Sequence, residues 1–206
     1  MPSCHSLPAE GGQDHAAMGH EAHADMAKGQ PAADAAEEAR LRIPDMDLLD
    51  QDGRPVHFYR DLVEDKVVAM NFIFTTCTTI CPPMGANFSR LQEALGEHLG
   101  RDVQLISVSI DPTTDTPQRL KAWGEKFSAS DAWTLVTGPK PDVDQVLRQL
   151  EVLSPDFKDH GPVALLINDR TGAVRRVNGL TPPAKLAAML EEMMDTPEAP
   201  TEETAR

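Results

Sequence analysis

Residues 67–89, VVAMNFIFTTCTTICPPMGANFS, constrain the fold more than any other stretch of this chain. The first third of the stretch is mostly apolar and carries no charge, which is typical of a strand buried on both faces of a sheet. Cys77 and Cys81 follow a short turn, and Pro82 and Pro83 come next, where a helix can begin. The pattern predicts two thiols between a buried strand and a helix N-terminus, where free N–H groups and the helix dipole lower the pKa of a thiol.

The composition limits the chain to one good hydrophobic core, because 206 residues with 40% hydrophobic side chains rarely divide into two. A formal net charge of −14 argues against nucleic-acid binding, since contacts to phosphates need a basic surface. The three cysteines, Cys4, Cys77 and Cys81, are too few for a disulfide-stabilised scaffold. The core must therefore hold the fold, and the close cysteine pair is a candidate for redox chemistry or metal binding.

The sequence shows no membrane anchor. No apolar run approaches the ~20 residues that cross a bilayer, and the chain does not open with a basic segment followed by an apolar one, as an export signal would. We therefore expect a soluble chain, with a monomer as the default state. Cys4 leaves an alternative open, because it could be a lipidated cysteine or lie just after a lost export signal.

Both ends of the chain are predicted to be disordered tails. Residues 1–40 are rich in Ala, Gly, His, Met and acids, and residues 195–206 are acidic, so neither end can bury enough apolar surface to offset the entropy of ordering. The first tail contains side chains that suit copper as soft or borderline ligands: His5, His15, Met18, His20, His23 and Met26. This tail is either a copper-collecting segment or simply a polar tail or tag remnant.

Residues 41–194 show the pattern of one α/β domain. A hairpin is predicted over 45–59 and a helical turn over 61–65. Strands are predicted over 67–74, 103–110, 131–137, 163–168 and 173–178, and helices over 81–100, 117–127, 141–153 and 182–194. Strand–helix–strand units followed by a hairpin and a helix predict a thioredoxin-like three-layer α/β sandwich with an N-terminal β-hairpin extension.

The two central thiols can close a disulfide or hold a soft metal ion, and the residues alone leave both open. A structural disulfide would constrain the unfolded chain little, because its loop is so short. Two sulfur atoms seldom complete a metal site, and His160 is the best third donor because it lies just before the strand VALLIN; His57 and His98 lie in surface contexts. Cys77, Cys81 and His160 suit copper(I) or copper(II), and zinc with a water ligand is an alternative.

Three motifs in order make the chain resemble the Sco/SenC family. They are CTTICP (residues 77–82), SVSIDPTTDTP (residues 107–117) and Asp159-His160 before LLIND. The resemblance covers about residues 42–194 and implies a copper-binding, thioredoxin-like protein for cytochrome c oxidase assembly. It also implies that Cys77, Cys81 and His160 bind copper and that the two cysteines cycle between dithiol and disulfide.

The same resemblance implies roles for residues around the site. Asp111 and Asp115 would cap the helix that follows them and shape the loop near the site, and Asp159 would orient or tune His160. Sco/SenC proteins usually carry a membrane anchor on the oxidising side of the membrane. The implied location is therefore the periplasm or the outer face of the inner membrane.

Two functions follow as hypotheses. The first is a copper metallochaperone that delivers copper to the binuclear copper site of cytochrome c oxidase subunit II, or to another copper-receiving protein, after loading from a periplasmic copper donor. The second is a thiol–disulfide oxidoreductase that acts on cysteines of subunit II or another exported client, with Cys77 attacking and Cys81 resolving. A peroxidase is less favoured, because Arg90, the nearest downstream arginine, is expected on a helix surface.

Overall fold

The computed structural model describes residues 42–152 and 161–196 of the chain. The predicted N-terminal tail, with Cys4 and the tail histidines and methionines, lies outside this part. The predicted C-terminal tail also lies outside it, except for its first two residues. Asp159 and His160 also lie outside it. The proposed domain limits therefore stay predictions.

One mixed sheet forms the centre of the described fold. Its strands are β1 (Asp47–Asp50), β2 (Pro55–His57), β3 (Val67–Ile73), β4 (Val103–Ser109), β5 (Trp133–Thr137), β6 (Val163–Asn168) and β7 (Ala173–Asn178). The spatial order is β2-β1-β5-β4-β3-β6-β7. The central strand β3 is parallel to β4 and antiparallel to β6, so that the strand leading to the two cysteines is hydrogen-bonded on both edges.

Helices cover both faces of this sheet. They are α1 (Phe58–Leu62), α2 (Cys81–Leu95), α3 (Pro117–Lys126), α4 (Lys140–Gln149) and α5 (Pro183–Met194). Alternate residues of β3 enter two separate hydrophobic clusters: Ala69 and Ile73 pack with α2, α3 and α5, whereas Met70 and Phe72 pack with α1 and α4. The predicted three-layer α/β sandwich is confirmed. Among the described residues, no helix has the length and apolar character needed to cross a bilayer.

The predicted N-terminal hairpin is confirmed, but its second strand ends earlier than expected. β1 and β2 are antiparallel, and β1 continues the sheet by pairing with β5. The prediction continued the second strand to Tyr59 and placed the helical turn at 61–65, whereas α1 already begins at Phe58. The reason is a pair of carboxylates: Asp45 accepts the N–H groups of Tyr59 and Arg60, and Asp61 accepts the N–H of His57.

The helix that begins at Cys81 also ends earlier than predicted. Its expected end was Gly100, whereas α2 stops at Leu95 and a 3₁₀ turn covers Gly96–His98. Gly96 adopts a φ of 50°, which is outside the helical region and available to glycine at little cost. The start of α3 agrees with the prediction, because the Thr116 side chain accepts the N–H of Arg119 at 3.3 Å.

Gly85 lies where α2 packs against Phe127, at the end of α3. A Cβ atom at this position would lie 2.6 Å from Cε2 of Phe127, whose ring packs on Trp123. We expect Gly85→Ala to lower the free energy of unfolding by about 1–3 kcal/mol through overpacking, although alanine favours a helix over glycine by about 1 kcal/mol. Urea titration of the reduced protein measures this change.

The matched control for Gly85→Ala is Ala94→Gly, at an exposed position of the same helix. That substitution reports helix propensity alone and should cost about 1 kcal/mol. If propensity also governed residue 85, Gly85→Ala would stabilise the protein by a similar amount. A gain in stability would therefore contradict the packing explanation.

Candidate metal centre

The loop between β3 and α2 carries both central cysteines. Cys77 lies in a turn directly after β3, and its backbone N–H donates to the carbonyl of Phe74 at 3.2 Å. Cys81 is the first residue of α2, and the prolines that follow it fit the first helical turn because their missing N–H groups would be unpaired there in any case. The two thiols thus lie where the central strand gives way to a helix N-terminus.

Both cysteines are free thiols, and Cys77 contacts the helix start directly. Its Sγ accepts a hydrogen bond from the backbone N–H of Cys81 at 3.3 Å and lies 3.7 Å from Oγ1 of Thr79. Cys77 is 9% exposed, whereas Cys81 is fully buried. A reagent or a partner protein therefore meets Cys77 first.

The two thiols differ in acidity because their surroundings differ. Burial opposes ionisation of Cys77, but hydrogen bonds from the N–H and thiol of Cys81 and from Thr79 outweigh it and lower the pKa of Cys77 to about 7. Burial raises the pKa of Cys81 to about 12, and the nearby Cys77 and Asp115 contribute to the rise. One thiolate is thus available near neutral pH, and a second thiolate needs a cation to offset its charge.

The lowered pKa of Cys77 predicts its reactivity. The thiolate is the reacting form, so the rate of alkylation of Cys77 by iodoacetamide should rise with pH and reach half of its maximum near pH 7. Peptide mapping by tandem mass spectrometry separates this modification from those at Cys81 and Cys4. In the urea-unfolded chain the midpoint should move up to the ordinary value of about 9.0. Equal midpoints in the folded and unfolded chains would contradict the hydrogen-bond argument.

A buried carboxylate holds the start of the cysteine loop in place. Asp115 is fully buried and accepts hydrogen bonds from the N–H of Thr75 at 3.1 Å and from its hydroxyl at 2.6 Å. The hydroxyl of Ser109 donates to the other carboxylate oxygen at 2.7 Å. Asp115 therefore ties together the residues that follow β3, the end of β4 and the segment before α3.

These contacts correct the roles that the sequence indicated for the two aspartates. Neither aspartate caps α3, because the capping side chain is that of Thr116. Asp111 accepts the hydroxyl of Thr113 at 2.8 Å, while Asp115 shapes the cysteine loop as expected. The partners of Asp115 were not foreseen, although the hydroxyl residues at the ends of both strands were a visible signal. Sequence spacing cannot show which hydroxyl reaches which carboxylate.

The third predicted donor, His160, lies outside the described residues. Within residues 42–152 and 161–196, no group of three or more histidine, cysteine or acidic side chains could hold a metal ion. His57 and His98 lie away from the cysteines, with Nδ1 at 2.7 Å from Asp47 and 2.8 Å from Asp102, respectively. The described part therefore supplies two sulfur donors, Cys77 and Cys81, and His160 as the third donor stays a prediction.

Comparison with known proteins shows the family of this chain. The family model described as SCO1/SenC matches residues 34–195, which is most of the chain. The chain belongs to the SCO1/SenC family. A SCO1 protein homolog of Bacillus subtilis is 41% identical over 90 residues, which cover 43% of this chain and 45% of that protein. The match thus spans less than half the length of this curated relative.

Solved structures of Sco proteins share the fold over a longer stretch. A SCO1/SenC family lipoprotein from Bacillus anthracis is 32% identical with a TM-score of 0.63, covering 72% of this chain and 92% of that one. BsSco, described with a disulfide switch as a Sco-family cytochrome c oxidase assembly protein, is 28% identical with a TM-score of 0.62, covering 74% and 92%. Bradyrhizobium japonicum ScoI, solved with copper bound, is 24% identical with a TM-score of 0.60, covering 72% and 96%. The thioredoxin-like fold of the SCO1/SenC family is therefore confirmed for this chain.

Proposed function

We propose that this chain is a copper metallochaperone that holds one copper ion through Cys77, Cys81 and His160. The observation that carries the proposal is the buried pair of free thiols, joined by the hydrogen bond from the Cys81 N–H to Cys77 Sγ at the start of α2. Thiolate sulfur favours copper(I), and an added imidazole suits copper(II). A bound cation would also offset the charge of the second thiolate, which burial and Asp115 disfavour.

Membership of the SCO1/SenC family favours copper over zinc as the cargo. Bradyrhizobium japonicum ScoI is a Sco protein solved with copper bound. Zinc would also accept two thiolates and an imidazole, with water as the fourth ligand. The three ligands alone therefore do not distinguish copper from zinc, and the argument for copper comes from the family. Copper loaded at this site is cargo, and ligand exchange with an acceptor protein would release it.

We further propose that the acceptor is the binuclear copper site of cytochrome c oxidase subunit II and that the protein works outside the cytoplasm. BsSco is described as a cytochrome c oxidase assembly protein, which supports the first point. The Bacillus anthracis relative is described as a lipoprotein, which supports an exported location. The exposed edge of Cys77 is where the incoming ligands of an acceptor would first reach the copper ion.

A transfer assay tests this function. The copper-loaded full chain is mixed with the apo form of a soluble subunit II domain, and the spectrum of the binuclear copper centre is followed. We expect the spectrum to develop with wild-type protein and to be lost with the Cys77→Ser/Cys81→Ser variant. Copper that reaches the acceptor equally well from this variant would show that another part of the chain carries it.

The asymmetry of the two thiols supports a second candidate function, a thiol–disulfide oxidoreductase. Cys77 is accessible at its edge and Cys81 is buried behind it, as expected for an attacking and a resolving thiol. Cys77 would attack a client disulfide to form a mixed disulfide, and Cys81 would then displace the client as a dithiol. The protein ends as the Cys77–Cys81 disulfide, and an external dithiol reductant must supply two electrons to restore it.

The same acceptor domain separates the two functions. When its cysteines are supplied as a disulfide and no copper is present, an oxidoreductase converts them to thiols in proportion to the reduced protein added. Thiol counting after quenching with acid measures this conversion. Conversion that persists in His160→Ala, together with no copper transfer by the wild type, would favour the oxidoreductase over the metallochaperone.

A further inference from the structure

The strand β7 forms an open edge of the sheet. It is the last strand in the spatial order and, within the described residues, pairs with β6 alone. The opposite edge strand, β2, has three residues and begins with Pro55, and short strands and prolines discourage a further strand from pairing. In contrast, β7 has six residues and no proline, so its outer N–H and carbonyl groups can pair with another strand.

Exposed apolar side chains lie on this edge and just after it. In the described part of the chain, the large hydrophobic residues that are exposed are Val174, at 37%, and Leu180, at 40%. Val174 also lines a surface cavity of about 420 Å³ together with Ile43, Tyr59 and Ile167. A neighbouring strand with an apolar side chain on the Val174 face would therefore remove apolar surface from water.

Positive charge is concentrated along the same edge. Residues 170–180, RTGAVRRVNGL, contain three arginines and no acidic residue, in a chain whose formal net charge is −14. Arg175 is already paired with a glutamate of α5 at 2.8 Å. Arg176 is on the exposed face of β7, donates to the carbonyl of Leu150 at 2.9 Å and lies 4.0 Å from Glu151, at the limit of an ion pair. The guanidinium of Arg176 can therefore pair with an acidic side chain of a neighbouring strand.

The arginines disfavour pairing between two copies of β7. A symmetric antiparallel pair must place residues of the same face opposite each other. The two registers with the largest overlap then put either Arg175 or Arg176 directly opposite its own copy, and like charges in that position are destabilising. A strand with an apolar residue and an acidic residue two positions apart fits better, because it places them opposite Val174 and Arg176.

We propose that β7 is a docking edge for an extended acidic segment of a partner protein, which adds to the sheet as a further strand. Backbone hydrogen bonds along β7 provide the affinity. An acidic side chain pairs with Arg176, and an apolar side chain two positions away covers Val174, which together provide the specificity. This docking edge rests on neither proposed function, because it involves no metal and no thiol.

The docking edge leads toward the cysteine loop. β7 is antiparallel to β6, and β6 is antiparallel to β3, so β7 runs in the direction of β3 and ends at the side of the sheet where the cysteines lie. Asn87 of α2 donates to the carbonyl of Gly179, the first residue after β7, at 3.0 Å. A partner strand along β7 is therefore held beside the helix that begins with Cys81.

Peptide titration followed by NMR of the isotope-labelled, reduced, metal-free full-length protein tests the docking edge. The probe is the end-blocked peptide Thr-Ile-Thr-Glu-Thr-Thr-Thr, and its matched control has Lys in place of Glu. We expect a Kd on the order of 1 mM for the Glu peptide, with shifts and slower hydrogen exchange at the amides of β7. The Glu peptide should bind about fivefold tighter than the Lys peptide, although the net charge of −14 favours the Lys peptide at long range.

Variants of the protein show whether Arg176 sets this preference. Arg176→Glu should reverse it, so that the Lys peptide binds about fivefold tighter than the Glu peptide. Arg119→Glu makes the same change of charge at an exposed position of α3 and should keep the wild-type preference. Arg176→Gln keeps a hydrogen-bond donor without the charge, should bind both peptides nearly equally, and serves if Arg176→Glu does not fold.

Three results would overturn the docking edge. The first is the absence of shifts at the β7 amides with about 5 mM of the Glu peptide, well above the expected Kd. The second is equal binding of the Glu and Lys peptides by the wild type. The third is a stable dimer whose β7 amides are protected before any peptide is added, because a second copy would then occupy the edge. All three leave the proposed function standing, since no copper is present.

Discussion

Replacing Asp115 with alanine should lower the free energy of unfolding by about 3 kcal/mol, the largest effect on stability that we expect from a single substitution near the site. The carboxylate is fully buried and accepts the N–H and hydroxyl of Thr75 and the hydroxyl of Ser109. Its loss leaves the Thr75 N–H without its partner, and an unsatisfied buried donor costs more than a hydrogen bond contributes. Urea unfolding of the reduced full-length protein measures the change.

Asp111 provides a control in the same segment of the chain. Among the described residues its side chain accepts the hydroxyl of Thr113 alone, and it is half-buried, so Asp111→Ala should change stability by no more than about 0.5 kcal/mol. Ser109→Ala removes the hydrogen bond to the Asp115 carboxylate and the one that Ser109 accepts from the N–H of Asp111, and it should cost about 1.5–3 kcal/mol. Equal losses in Asp111→Ala and Asp115→Ala would contradict a special role for the buried carboxylate.

Replacing His160 with alanine should weaken copper(II) binding by more than about 100-fold, because removing a ligand should exceed the effect of removing the residue that orients it. Copper(I) affinity should fall much less, since two soft thiolates remain at Cys77 and Cys81. Chelator competition in each oxidation state measures both values. The ratio of the two losses is the informative quantity, because general damage to the site would weaken both forms together.

Two other histidines serve as controls for the loss of an imidazole. His57 and His98 bind Asp47 and Asp102 on the surface, away from the cysteine loop. His57→Ala and His98→Ala should leave copper(II) affinity unchanged. A loss in either variant that matches His160→Ala would show that copper(II) binds to dispersed surface histidines.

The sequence predicted the fold well because its main signals are local. The strand at 67–73 is uncharged along its length, and the turn signals around 169–172 place β6 and β7 at their observed limits. One error occurred where Gly96 ends α2 with a φ of 50°, and another where a side chain from elsewhere starts α1. Asp45 accepts the N–H of Tyr59 at the start of α1, although the two residues are 14 positions apart. No periodicity in the sequence reveals such a contact.

The candidate site was predictable to a similar degree and for the same reason. The spacing of Cys77, Cys81 and the prolines indicated a thiol pair at a helix start, and the structure has this arrangement. The buried pairing of Thr75 with Asp115 joins residues 40 positions apart, and Asn87 reaches Gly179 across 92 positions. Such supporting contacts depend on how the layers pack, which a single sequence does not display.

X-ray absorption at the copper edge tests the central claim most directly. The full-length reduced protein is loaded with one equivalent of copper and compared with the Cys77→Ser/Cys81→Ser variant, in which only other parts of the chain can hold the metal. We predict two sulfur scatterers and one imidazole around the copper of the wild type, and loss of this two-sulfur environment in the variant. A wild-type spectrum with one sulfur or none would show that Cys77, Cys81 and His160 do not form the copper site.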